Sequence, residues 1–131
     1  MIGIRGLAAT AAIASAAALG GCAHRIDPAT LGAAQQPVTC TTKGECAALW
    51  SRAVSWVALN SKMRISTQTD ELIQTYAPPP GTDFVPQITV SLLKNPDGGG
   101  RITFAASECR LVCQPGRVYM EAAFKRFVLA N

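Results

Sequence analysis

Five cysteines, a single histidine and eight carboxylates are the side chains through which this 131-residue chain could do chemistry. Four of the cysteines form two close pairs, Cys40 with Cys46 and Cys109 with Cys113, and the fifth, Cys22, stands alone behind an apolar run. Thiols so spaced can close disulfides, hold a metal or exchange electrons. A zinc site wants cysteines two to four residues apart or help from histidine; Cys109 and Cys113 fit that loosely, and Cys40 and Cys46 are too far apart. No C-x-x-C redox motif is present. Structural disulfides are therefore the expected use of these four, with no metal and no cofactor. Three connectivities exist. Cys40–Cys46 with Cys109–Cys113 is preferred because each bond closes locally, whereas crossed pairings would staple two helix starts together and restrict the unfolded chain over larger loops.

The remaining polar residues offer little for catalysis. His24 lies two residues from Cys22, where it cannot be held rigidly against a substrate, so a Ser-His or Cys-His nucleophile is not expected. Asp70 and Glu71 are adjacent, and neighbours on extended chain point to opposite faces, whereas a hydrolytic carboxylate pair must flank one bond. Glu108, beside Cys109 at a strand end, reads as a rim charge. The stretch Gly98-Gly99-Gly100-Arg101 lies between two strands, lacks the helix N-terminus that phosphate cradles use, and reads as a mobile hairpin tip. No catalytic residue is expected.

Met1 to Arg5 carries one positive charge and Leu7 to Leu19 carries none, the pattern of a secretory signal. The run is too short for a membrane span, which needs about 20 apolar residues. Leu19-Gly20-Gly21-Cys22 resembles the lipobox of bacterial lipoproteins, with an apolar residue, two small residues and then the cysteine. The resemblance implies removal of residues 1–21, a diacylglyceryl group on the Cys22 thiol and acylation of the new amino group. Two or three such chains anchor stably where one binds marginally. The membrane is thus the first expected partner. Ala23 is not Asp, which by the same resemblance favours the outer membrane, with the chain facing the periplasm. Cys22 then needs no disulfide partner, and the other four cysteines occupy an oxidising compartment.

Without residues 1–21 the chain has 110 residues and 11 Lys+Arg against 8 Asp+Glu, a net charge near +3. The cations are spread singly except for Lys125-Arg126, which is no nucleic-acid stripe. Residues 22–39 show no helical or strand period and contain Pro28, Gly32 and Pro37. They are expected to form a tether with a reach of about 20–25 Å, leaving 40–131 as one small domain.

The elements of that domain follow from its periodicities. Thr42-Lys43-Gly44-Glu45 fits a capping box, and Cys46, Trp50, Ala53 and Val57 behind it define one helical face, predicting a helix over 44–60. The alternating stretches 63–68 and 71–76 predict a hairpin, and 87–93 and 101–107 predict another across the turn Asn95-Pro96-Asp97-Gly98-Gly99-Gly100. Residues 115–130 predict a last helix with Met120, Ala123, Phe124, Phe127 and Val128 on its apolar stripe and the Glu121–Lys125 pair on its outer side. The expected fold is α+β: a two-layer sandwich, order α-β-β-β-β-α, with a four-stranded antiparallel sheet and both helices on one face.

Trp50 and Trp56 are separated by about 120° around their helix, at 100° per residue. One is expected in the core and the other at its edge or turned to solvent. Trp50, Trp56 and Tyr76 are accordingly the candidate partner-binding residues, aromatics being enriched where proteins meet. The pattern Glu45-Cys46, Trp50, Trp56, Asn60, Ile65, Asp70, Ile73, Thr75-Tyr76 and Cys109 to Cys113-Gln114-Pro115 resembles small, uncharacterised envelope lipoproteins of Gram-negative bacteria. That resemblance implies no activity and lends no catalytic residue. The expected function is a membrane-anchored, periplasm-facing interaction or structural protein that engages another envelope protein and does not bind nucleic acid. The alternative is a small-ligand or glycan-binding module using the open sheet face.

Overall fold

The structure is a computed structural model and describes residues 25–130; the expected signal segment 1–21, Cys22, Ala23 and His24 lie outside them. Eight elements follow in order: α1 (Pro28–Gln35), β1 (Val38–Cys40), α2 (Lys43–Asn60), β2 (Ile65–Gln68), β3 (Leu72–Thr75), β4 (Ile88–Lys94), β5 (Gly100–Ala106) and α3 (Arg117–Leu129). The fold is α+β, with a five-stranded sheet of order β1-β5-β4-β3-β2 in which every neighbouring pair is antiparallel. No helix among the described residues is long and apolar enough to cross a membrane.

Strand alternation sets the two sheet faces. Along β4 and β5, Ile88, Val90, Leu92 and Ile102 are buried, whereas Leu93, Arg101 and Thr103 are exposed. The paired register Val90 with Phe104 and Leu92 with Ile102 brings the apolar set onto one side, where α2 and α3 cover it. At the centre Phe124 of α3 lies 5.4 Å from Trp56, edge to face, and 4.9 Å from Phe104. Buried Thr75 is satisfied, its hydroxyl accepting from the Ile88 amide at 2.9 Å.

Two elements exceed the expectation of four strands and two helices, and both begin in the expected tether, 22–39. Residues 28–35 are helical and 38–40 pair with β5. The helix has a start signal, Asp27 followed by Pro28 at the first turn: the Asp27 carboxylate accepts from the Thr30 amide at 2.8 Å. What its Ala- and Gly-containing sequence lacks is a wide apolar stripe, because α1 buries only Thr30 and Ala34. It packs on α3 rather than on the sheet. A three-residue strand is likewise too short to display a period.

This extra layer alters α3. Glu121 and Lys125 pair at 2.8 Å, but not on an outer side: Lys125 is buried, and its Nζ also donates to the Ala34 carbonyl of α1. Ala122 is buried, while Ala123 and Phe127, expected on the apolar stripe, are exposed. The stripe has rotated because α3 is covered from two directions, by the sheet and by α1.

The turn before β5 is packed rather than mobile. Gly99 and Gly100 are buried, the Asn95 amide donates to the Gly99 carbonyl at 2.7 Å, and the Gly99 amide donates to Asp97 Oδ1 at 2.8 Å. Of the three glycines only Gly98 uses the left-handed region, at φ +95°. Gly99 is required by proximity instead, since a Cβ there would stand 2.7 Å from the Cys40 carbonyl oxygen. Gly99→Ala is expected to push β1 off this turn and lower the unfolding free energy by about 1–3 kcal/mol, measured by urea denaturation.

Candidate functional site

The two disulfides are Cys40–Cys46 and Cys109–Cys113, with Cα separations of 5.1 and 5.2 Å, the local connectivity that the spacing favoured. Each does a different job. Cys40–Cys46 joins the end of β1 to the first turn of α2, beside the capping residues. Thr42 Oγ1 accepts from the Glu45 amide at 3.1 Å as the sequence predicts, but the Glu45 carboxylate reaches one residue further back, to the Thr41 amide and hydroxyl, each at 2.8 Å. All of this braces the start of a helix whose far flank carries core residues.

Cys109–Cys113 closes a five-residue loop that turns its apolar residues outward. Leu111 is 66% exposed and Val112 55%, while Cys113 beneath them is buried. The loop is fixed to the β3–β4 connection by two backbone bonds, Leu111 amide to Asp83 carbonyl at 3.2 Å and Gln114 amide to Phe84 carbonyl at 3.0 Å. Phe84 on that connection is 42% exposed. Arg110 stands 3.8 Å from the Asp83 carboxylate, and Arg117 stands 3.7 Å from Glu108. The result is an apolar tip, Phe84, Leu111 and Val112, held in place by covalent and backbone bonds and rimmed by two ion pairs. Glu108 is a rim charge as expected, with most of its side chain in solvent.

The aromatic candidates lie elsewhere. Trp50 and Trp56 are both buried, so neither faces solvent as a partner anchor. The reason is that α2 is enclosed over a wide arc. Trp50 donates its indole N–H to the Thr69 carbonyl in the β2–β3 turn at 3.1 Å, on one flank, and Trp56 meets Phe104 and Phe124 on the other. Tyr76, directly after β3, is 57% exposed and stands far less enclosed. The apolar tip carries no periodicity and so no expectation from the sequence; its one signal is that two bulky residues sit inside a disulfide loop too short to bury them.

Two clefts flank α2. One of about 560 Å³ has Trp50, Leu92 and Ala47 as its floor and Lys43, Asp70 and Lys94 at its rim. Lys94 pairs with Asp70 at 2.8 Å and Glu71 at 3.0 Å, so these charges neutralise one another rather than converge on the opening. The other, about 370 Å³, lies between Trp56, Pro86, Pro115 and Tyr119. Among the described residues no group of three His, Cys, Asp or Glu could hold a metal ion. On β1, β4 and β5 the open sheet face shows Thr39, Leu93, Arg101, Thr103 and Ala105 as exposed side chains, none of them aromatic, and exposed Tyr76 follows β3 in step with Leu72 and Gln74.

The perturbed charges are all at the surface. Hydrogen bonds from Thr30, side chain first and then backbone, hold the Asp27 carboxyl below the usual carboxylate range. The Thr41 amide and then its hydroxyl do the same for Glu45, and hydrogen bonding to Lys94 does so for Asp70. Lys94 is raised by Asp70 and then Glu71. Each carboxylate therefore stabilises the fold above the pH at which the unfolded chain titrates, and that contribution is lost as pH falls through the lower folded value; Lys94 contributes below the ordinary lysine range and loses its share as pH rises through the raised value. The melting temperature is expected to hold steady from about pH 6 to 8 and to fall below about pH 4. Glu45→Gln should flatten part of that acid slope, followed by circular dichroism.

The fold and tip together define a small, disulfide-braced α+β domain with an outward-facing apolar loop. No protein-family model, curated protein or solved structure matches the chain.

Proposed function

We propose that this protein is a lipid-anchored component of the bacterial cell envelope, held at Cys22 to the periplasmic side of the outer membrane, that engages another envelope protein and carries no catalytic centre. The anchor rests on the lipobox-like Leu19-Gly20-Gly21-Cys22. The interaction role rests on one observation: Leu111 and Val112 are exposed on a loop that a disulfide and two backbone hydrogen bonds hold rigid. Exposed aliphatic residues on a flexible loop would collapse inward or lie loosely. Held outward, they offer a preordered apolar surface that loses little conformational entropy on binding, and the rim pairs Arg110–Asp83 and Arg117–Glu108 surround it with polar groups, the arrangement of an interface core within a polar rim.

Placing a photoreactive residue at position 111 in cells tests the role. A discrete protein adduct is expected from 111 and none from position 103 on the open sheet face. Equal labelling at the two positions, or no adduct from 111, overturns it. Mass spectrometry of the purified protein tests the anchor independently: the expected mass begins at Cys22 and includes acyl chains, and an intact N-terminus with no acyl mass overturns it.

The cleft over Trp50 favours the second reading, a small-ligand site. Lys43 makes no ion pair among the described residues, and its stem lies over Gly98 at the cleft's edge. Quenching of Trp50 fluorescence by a bound sugar or carboxylate, abolished by Lys43→Ala, would bring that reading ahead.

A further inference from the structure

The ordered helix α1 shortens the expected tether, and with it the distance between the body and any membrane that holds Cys22. Pro28, the first residue of α1, follows Cys22 by six positions, so fully extended chain spans at most about 20–22 Å between them. Arg25, three residues from Cys22, lies within about 11 Å by the same measure. A domain of this size is roughly 30 Å across. The connection is shorter than the body it holds, which restricts how the body can turn.

The end nearest the anchor is the layer made by α1 and α3. Arg126 Nη2 donates to the Ala29 carbonyl at 3.3 Å, and Arg126 also acts electrostatically on Asp27, so the start of α1 lies against the last turns of α3. Residues 25–36 and 117–130 carry four cations, Arg25, Arg117, Lys125 and Arg126, against two carboxylates, Asp27 and Glu121. Lys125 is buried against Glu121 and Arg117 stands at the far end of the helix, which leaves Arg25 and Arg126 with the ionised Asp27 at the end nearest the anchor. Leu31 and Phe127 are each about two-fifths exposed on the same two helices. Arg117 begins α3 at its opposite, N-terminal end, and the Cys109–Cys113 loop sits just before it.

We infer that the α1–α3 layer lies on the anionic surface of the bilayer that holds Cys22, with Arg25 and Arg126 against headgroup phosphates and Leu31 and Phe127 at the headgroup boundary. The inference rests on the proposed lipid anchor. Interfacial segments bind through apolar burial together with attraction to anionic lipid. Each basic residue close to such a surface favours the docked arrangement by about fivefold. The Phe84, Leu111 and Val112 tip lies at the opposite, N-terminal end of α3, outside the docked segments.

Hydrogen exchange read by mass spectrometry tests this on the purified full-length product reconstituted into vesicles of phosphatidylcholine alone or with phosphatidylglycerol. Exchange in 28–36 and 121–130 is expected to slow severalfold on the anionic vesicles relative to the neutral ones, with 109–113 unchanged. The double variant Arg25→Glu, Arg126→Gln is expected to erase that difference while the protein still floats with the vesicles. Acylated, vesicle-bound protein whose exchange in 28–36 and 121–130 is the same on both vesicle types overturns the docked layer and leaves the anchor standing. Protein with no acyl mass that fails to float overturns the anchor, and this inference with it.

Discussion

Phe124→Ala is expected to lower the unfolding free energy by about 3–5 kcal/mol, the range for truncating a fully buried aromatic ring. Phe124 has no exposed surface and touches both other members of the aromatic cluster, with ring centroids 5.4 Å from Trp56 and 4.9 Å from Phe104. It joins α3 to α2 and to β5 at once, so its loss leaves a cavity bounded by three elements that cannot all move in to fill it. Arg52 on α2 also donates to the Val128 carbonyl at 3.1 Å and to the Ala130 carbonyl, fixing the end of α3 and limiting collapse. Small domains have stabilities of about 5–15 kcal/mol, so the variant is expected to be marginal at room temperature. Urea denaturation checks this, with Phe127→Ala as the comparison: Phe127 neighbours the same helix face but is 42% exposed, and its truncation is expected to cost less than about 1 kcal/mol. Equal losses for the two would mean that the core does not close around Phe124.

What the sequence disclosed and what it hid divide along a physical line. The helix over 44–60 and both hairpins are legible because each carries a local signal, a capping box or an alternation, that agrees with its tertiary place. The first helix and first strand hide because tertiary contacts decide them: α1 is held by α3, with Lys125 Nζ bonded to the Ala34 carbonyl, and β1 by its register with β5. From that one omission came the misplacement of Lys125 and Phe127. The stripe on α3 is legible only if every partner of the helix is known. Trp50 shows the same dependence, because angular spacing on a helix bounds exposure only when the width of the cover is given, and the Thr69 carbonyl extends that cover by a full turn segment.

The candidate site was half legible. Cysteine spacing pointed to the local disulfides, and nothing beyond spacing was needed. That Leu111 and Val112 face outward was not, since the loop carries no periodicity from which a face could be read. What sets it is the short covalent loop together with its two bonds to the Asp83 and Phe84 carbonyls. Residues between linked cysteines four apart have no room to fold back beneath their own disulfide.

Replacing Cys109 and Cys113 together by serine is expected to separate stability from function. Closing so short a loop contributes only about 2 kcal/mol by the chain-entropy relation, so the domain should remain folded with a melting temperature lowered by several degrees. The tip, however, loses the bond that holds Leu111 and Val112 outward, and the adduct from position 111 is expected to drop at least about tenfold, the change that 1.4 kcal/mol of lost preorganisation produces. Cys40→Ser with Cys46→Ser is the matched control. That disulfide spans six positions against four, and its removal should cost about the same stability, yet it clamps the start of α2 and leaves the tip intact. The decisive comparison is therefore between two variants of similar melting temperature. Loss of the adduct in the first alone assigns partner contact to the Cys109–Cys113 loop; equal loss in both would make it a consequence of weakened folding and remove the loop from the interface.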